Sequence, residues 1–147
     1  MYDIEKSIGF LLAKAYQRAF ALFREELEKF DLTPPQYAIL AFLWQQDGLT
    51  QVELSEKSQV DRTTLGGLID RLEKFGLVER HTHPHDRRAY QIKLTPRGRT
   101  LEPQLRECSK KALGKLTSGL SNKDIAELGR ILEILRGEKR VYEKPAF

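Results

Sequence analysis

From Asp3 to Phe30 apolar residues recur at helical spacing on two sides at once. Ile4, Ile8, Leu11, Ala15, Ala19 and Leu22 form one stripe; Leu12, Tyr16, Phe20, Phe23 and Leu27 form another. Neither Gly nor Pro interrupts the run after Gly9, so the pattern predicts one helix of about 40 Å. Two apolar stripes on so long a rod require two surfaces to pack against. The reading favoured here is a helix lying between its own domain and a partner subunit.

Thr33-Pro34-Pro35-Gln36 combines an N-cap, a proline at the first helical position and a reciprocal acceptor three residues on. It predicts a helix whose body, Tyr37 to Trp44, is nearly all apolar and therefore buried, ending at Asp47-Gly48. Thr50-Gln51-Val52-Glu53 is a second capping box and opens a short helix to about Lys57. After the link Ser58-Gln59-Val60, Asp61 caps a helix with core face Leu65, Leu68, Ile69 and Leu72, which reaches Phe75 and stops at Gly76. Leu77–Arg80 and Ala89–Leu94 alternate like the strands of a hairpin, with His81–Arg88 as its exposed loop. Thr95-Pro96 opens a further helix with Leu101, Leu105, Cys108, Ala112 and Leu116 inward. Ser121 caps a last one carrying Ile125, Leu128, Ile131, Leu132 and Leu135, and the polar tail from Gly137 is expected to fray.

The fold class this predicts is mainly α with a small β-hairpin wing. Residues 31–95 form a winged helix-turn-helix, and residues 1–30 with 96–147 form a helical dimerisation region.

Charge sharpens the picture. Residues 61–100 carry nine Lys/Arg against five Asp/Glu, while the rest of the chain carries sixteen of each sign. The whole positive excess therefore sits on the predicted helix-turn-helix and hairpin, a local footprint for a polyanion. No apolar run approaches the ~20 residues of a membrane span and no leader pattern precedes the chain, so a cytoplasmic location is expected. The single cysteine, Cys108, excludes an internal disulfide framework and a cysteine zinc cluster. No catalytic triad, phosphate-cradling glycine loop, metal-spaced His/Glu helix or dinucleotide fingerprint occurs, so the chain does not read as an enzyme and no cofactor is expected.

On the helix after Asp61, residues Arg62, Thr63, Thr64, Gly66, Gly67, Asp70, Arg71 and Lys74 lie off the apolar stripe. Arg62, Thr63 and Thr64 sit at the helix N-terminus, placed for phosphates and base edges. Threonine can bond either groove partner or touch a thymine methyl, and arginine can fork onto guanine. The pair Gly66-Gly67 violates helix propensity at roughly 1 kcal/mol per glycine. It lets the backbone approach either DNA or a neighbouring helix. In the loop, Arg87 or Arg88 is expected to enter a minor groove, with Asp86 fixing an arginine's direction. His81, His83 and His85 alternate on the loop without a carboxylate cluster. That is weak as a metal site, and protonation at mildly acid pH would strengthen phosphate attraction.

Several stretches together resemble the MarR family of bacterial and archaeal transcription regulators. They are Leu32-Thr33-Pro34-Pro35-Gln36-Tyr37, Leu49–Leu54, Asp61–Leu65, Leu72–Arg80, Asp86-Arg87-Arg88-Ala89 and Leu94-Thr95-Pro96-Arg97-Gly98. The resemblance runs from about residue 30 to residue 100. It implies a homodimer with interlocked terminal helices. It also implies that each subunit reads a pseudo-palindromic double-stranded DNA operator, with the helix Asp61–Phe75 in the major groove and Arg87, scaffolded by Asp86 and Arg88, in the minor groove. Such proteins usually repress and are released by small, often aromatic or phenolic, ligands. Some relatives carry arginine where this chain has Gly67, so a base contact is missing here or moved to Arg62 or Arg71. No cysteine stands near the start of the long helix as in peroxide-sensing members, and all three histidines lie in the wing, unlike zinc-sensing members. A small organic effector remains, with Leu12, Tyr16, Tyr37 and Trp44 as candidate pocket walls; each also suits plain hydrophobic core. The competing function is a winged-helix module that binds protein or RNA without ligand-controlled transcriptional regulation. A steep salt dependence of DNA affinity separates the two.

Overall fold

The computed structural model describes residues 1–137. Of the polar tail expected to fray, all but Gly137 lies outside the described residues. The chain forms seven α-helices among the described residues, with a small three-stranded antiparallel sheet whose hairpin lies between the fourth and fifth helices and whose third strand lies between the second and third.

The long N-terminal helix is interrupted once. Asp3 caps a 3-10 turn at Ile4–Lys6, and Ser7, in extended conformation, starts α1 (Ile8–Leu27) by accepting the backbone N–H of Phe10 at 3.3 Å. Ser7 also donates to the Ile4 carbonyl at 2.8 Å. Local side-chain bonds of this kind compete with the helix ladder, and here they break the expected continuous rod. A second 3-10 turn, Glu28–Phe30, and Asp31 in left-handed conformation (φ 56°) close the segment.

In α2 (Pro34–Gln45), the Gln36 side chain accepts the Thr33 N–H at 3.0 Å, and Ile39, Leu40 and Leu43 are fully buried. The apolar faces of α3 (Gln51–Ser58) and α4 (Arg62–Lys74) meet that core through Leu54, Leu65, Ile69 and Leu72. Leu68, expected beside them, is half-buried. The hairpin is β2 (Val78–Thr82) with β3 (Tyr90–Leu94), in the register Val78↔Leu94 to Thr82↔Tyr90. His81 and Thr82 therefore belong to β2 and not to the loop, whose free length is correspondingly shorter. Leu49–Thr50 form β1, which adds to the other edge of β3 through Leu49↔Ile92 and Thr50↔Gln91, giving the order β1-β3-β2.

The helix expected after Thr95 is divided into α5 (Pro96–Thr100) and α6 (Glu102–Leu116). Pro103 supplies the reason: it has no N–H, and its ring opposes the carbonyl four residues back. Gly98 is required by contact, since a Cβ there would lie 2.2 Å from the Leu77 carbonyl oxygen. Around it, Thr95 donates its N–H to Leu77 O at 3.1 Å and its hydroxyl to Gly76 O at 2.6 Å. The Trp44 indole donates to Gly98 O at 3.0 Å. The end of the wing is thus bolted to the start of the C-terminal helices.

The C-terminal half of α1 packs on α6 through Phe23, Leu27, Leu105, Cys108 and Ala112. Arg18 crosses the end of α6, donating to the carbonyls of Leu116 (3.2 Å) and Lys115 (3.3 Å), where cations favour the negative end of a helix. The N-terminal half of α1 is not covered: Ile4, Ile8, Leu11, Leu12 and Tyr16 are exposed. In α7 (Asn122–Arg136), capped by Ser121, no residue is buried, and Leu128, Ile131, Leu132, Ile134 and Leu135 are all exposed.

Glu26 is a buried acid between α1 and α6. The Lys115 ammonium, bonded to it at 3.1 Å, holds its carboxyl below the usual carboxylate range, helped by Lys29 and Lys111. The Glu26→Gln variant is expected to melt below the parent at neutral pH. A folded-state pKa below the unfolded one stabilises above the unfolded value, and that contribution fades as pH falls through the folded value. Melting curves taken from neutral pH to about pH 3 should therefore converge. A constant gap would remove Glu26 ionisation from the explanation.

Candidate nucleic-acid interface

The helix-turn-helix is set by short polar fastenings. Thr50 and Glu53 close a capping box on α3, with Glu53 N–H to Thr50 Oγ1 at 3.1 Å and Thr50 N–H to Glu53 Oε1 at 3.4 Å. Gln59 turns the chain in left-handed conformation (φ 58°), and the buried Ser55 hydroxyl holds the turn by donating to Val60 O at 2.6 Å. Asp61 then caps α4, accepting the Thr64 N–H and the Thr64 hydroxyl, both at 2.8 Å. Those two bonds hold the Asp61 carboxyl below its ordinary range. With its proton committed to Asp61, Thr64 presents only lone pairs outward and can read base amino groups, not base carbonyls.

Arg62, Thr63, Thr64, Gly67, Asp70, Arg71 and Lys74 form the exposed outer face of α4. The two glycines part company here. A Cβ on Gly66 would come within 3.4 Å of the Gln51 side chain of α3, whereas nothing lies within 4 Å of one on Gly67. The Gly66 distance is ordinary contact with the end of a flexible side chain, so neither glycine is required by packing among the described residues.

One organising residue, Arg80 of β2, escapes the sequence reading. Its guanidinium meets Asp70 at 2.7 Å and Glu73 at 3.0 Å, and donates to Gly66 O at 3.3 Å, while its N–H donates to Glu73 at 3.2 Å. It ties the wing to the outer helix at three points. The available signal is the i, i+3 acid pair Asp70 and Glu73 on an otherwise cationic helix, opposite an arginine in a strand.

At the wing tip, Asp86 accepts the backbone N–H of Arg88 at 2.9 Å. It shapes the turn, and no guanidinium contact to it occurs among the described residues; this corrects the expected Asp86–arginine side-chain bond. Arg87 and Arg88 are exposed, and neither forms an ion pair among the described residues. The histidines do not act together. His81 pairs with Glu79 at 3.0 Å, while the His83 and His85 rings stand 6.0 Å apart, with the His85 N–H donated to His83 Nδ1.

The four candidate effector residues separate. Tyr37 lines a cavity of about 390 Å³ with Phe23, Pro34, Ala38, Ala41, Phe42 and Gln45. Phe23 meets its ring edge-on at 4.8 Å. Trp44 meets Tyr37 edge-on at 5.8 Å, held by Gly98 O and overlain by Arg106. Leu12 and Tyr16 lie on the exposed part of α1 and do not line that cavity.

A short helix, a tight turn and a second helix with a cationic outer face, braced by a hairpin with two outward arginines, define a winged-helix DNA-binding protein. The sequence profile of the MarR family matches residues 32–90. The HTH-type transcriptional repressor NicR of Pseudomonas putida is 34% identical over 122 residues, covering 80% of this chain and 77% of that protein. The chain belongs to the MarR family of transcriptional regulators. Among solved structures it resembles a probable transcriptional regulator from Pseudomonas aeruginosa, with TM-score 0.85, 31% identity, 90% of this chain and 99% of that one covered. It also resembles Bordetella bronchiseptica BpsR, whose DNA binding is regulated by 6-hydroxynicotinic acid, with TM-score 0.87, 27% identity, and coverage of 94% and 99%.

Removing the brace should be felt in both fold and function. Arg80→Met is expected to lower stability by about 1 kcal/mol, because Asp70 and Glu73 are both more than a third exposed and water screens the pairs. It should weaken DNA binding even at temperatures where the variant is fully folded. Urea melts and gel-shift titrations check the pair of effects; unchanged DNA affinity in the folded variant would reduce Arg80 to a stability role.

Proposed function

We propose that two copies of this chain form a homodimer that binds a pseudo-palindromic operator as a repressor and leaves it when a small organic ligand binds. The observation that carries the reading is the outward cationic surface of α4 and the wing, above all Arg87 and Arg88, which have no acidic partner among the described residues. Dimerisation is supported by the uncovered apolar faces of α1 and α7, which a second copy would bury. Repression is supported by the naming of NicR as a repressor.

In the complex, the N-terminal turn of α4 enters the major groove. Arg62 and Arg71 serve as donors to guanine or phosphate, and Thr63 and Thr64 touch base edges. Arg87 enters the adjacent minor groove, whose negative potential draws an arginine, while Asp86 and Arg88 keep the tip in shape. Two such heads bind half-sites about 34–36 Å apart on one face of the duplex. The cavity walled by Phe23, Tyr37 and Phe42 lies at the junction of α1 and α2, so a ligand there would bear on the spacing of the two heads. Its size and aromatic walls suit one planar ring system. The regulation of BpsR by 6-hydroxynicotinic acid supports a ligand of that chemical kind.

Selection of duplexes from a random pool by the purified protein should return an inverted repeat with half-sites one helical turn apart. On that operator, Arg87→Ala should weaken binding broadly and reduce the slope of log affinity against log salt by about 0.9 for each phosphate no longer neutralised. A shallower slope with sequence preference retained is the expected pattern. An unchanged affinity would remove Arg87 from the interface, and a selection without any inverted repeat would remove the dimeric reading.

A further inference from the structure

Gln59 turns the chain between α3 and α4 at φ 58°, a left-handed conformation that glycine adopts at less cost. Its side chain reaches away from its own helix pair: Arg136, the last residue of α7, donates to the Gln59 side-chain oxygen at 2.9 Å. No residue of α7 is buried. Among the described residues this is the one hydrogen bond that joins α7 to the chain before its own cap. A helix of fifteen residues spans about 22 Å. α7 starts in the helical region after α6, and its far end rests on the turn of the helix-turn-helix.

That turn is stiff. Ser55 donates to Val60 O at 2.6 Å, and Ser58 Oγ accepts the Val60 N–H at 3.3 Å. Asp61, two residues after Gln59, caps α4, so a hold on Gln59 bears on the start of the reading helix. We propose that Arg136 and Gln59 are positioning residues for operator binding, setting the half-site spacing that the dimer accepts. Their bond gives each reading domain a second attachment to the helical region, beyond the one at Gly98. The proposal rests on the dimeric DNA-binding reading above. A body held at one point swivels about it, and a second hold removes most of that freedom. α7 carries apolar residues that a second copy would bury. With α7 fixed in that interface, the bond refers the position of α4 to the partner subunit. Neither side chain needs to touch DNA for this role.

The test compares the inverted repeat selected by the parent with two duplexes in which one base pair is added or removed between the half-sites. The parent should prefer the selected spacing. Arg136→Ala and Gln59→Gly should each narrow that preference by about fivefold, the equivalent of one ordinary hydrogen bond. Glycine suits the left-handed turn and removes the carboxamide. The charge lost with Arg136 weakens all three duplexes alike and leaves their ratio untouched. Both variants should sediment as the parent does, and the double variant should lose no more than either single one, because both remove the same bond. A parent indifferent to spacing, a variant with the parent's full preference, a variant that sediments as single chains, or losses that add would overturn the proposal with DNA binding intact. A parent that binds no duplex, or sediments as one chain, would instead remove the reading on which the proposal rests.

Discussion

Apolar surface left uncovered at both ends of the chain is the constraint on which the arrangement depends. Leu128, Ile131, Leu132, Ile134 and Leu135 are between 38% and 66% exposed, although they repeat along one amphipathic helix. The first half of α1 is in the same condition. Complete burial of such side chains is worth about 1.5–3 kcal/mol each. A handful is enough to offset the roughly 4–15 kcal/mol lost in rotational and translational freedom on association. Among the described residues, nothing in the chain buries this helix. In the proposed dimer its partner is a second copy, and the separation of the two reading helices becomes a property of the terminal helices rather than of either winged-helix domain.

The winged-helix domain is fastened at both ends of its wing. Arg80 fixes the wing to the reading helix, and Thr95, Gly98 and Trp44 fix the far end of the wing to α5 and α2. Both fastenings use close approach to backbone carbonyls, which leaves little room for adjustment. Tyr37 and Trp44 meet edge to face, so the candidate ligand cavity has the Gly98 contact directly behind its wall. A ligand that displaced Tyr37 would press on the point where the wing is anchored.

Much of this is legible in the residues. Helix starts at Ser121, Asp61 and Thr50 are local events decided by one side chain and the amide three residues on, and each forms as its sequence predicts. The core face of α4 follows from spacing alone. Other features depend on pairing at a distance and have no local signature. Leu49–Thr50 is too short to alternate and becomes a strand only because β3 presents an edge to it. Arg80 reads as one more contributor to a cationic patch until its acids are placed opposite it. Asp86 suits a guanidinium on paper, yet the backbone N–H two residues on is nearer. The division of the C-terminal helix at Leu101 is available from Pro103. In the candidate site, periodicity identifies the outer face of α4.

Sedimentation equilibrium at micromolar concentration, on the protein alone and with one operator duplex, tests the central claim most directly. The mass should correspond to two chains without DNA and to two chains per duplex with it. Replacing Leu132 with glutamate should give single chains that still fold. A single-chain mass for the parent at these concentrations, or one chain saturating the duplex, would contradict the account.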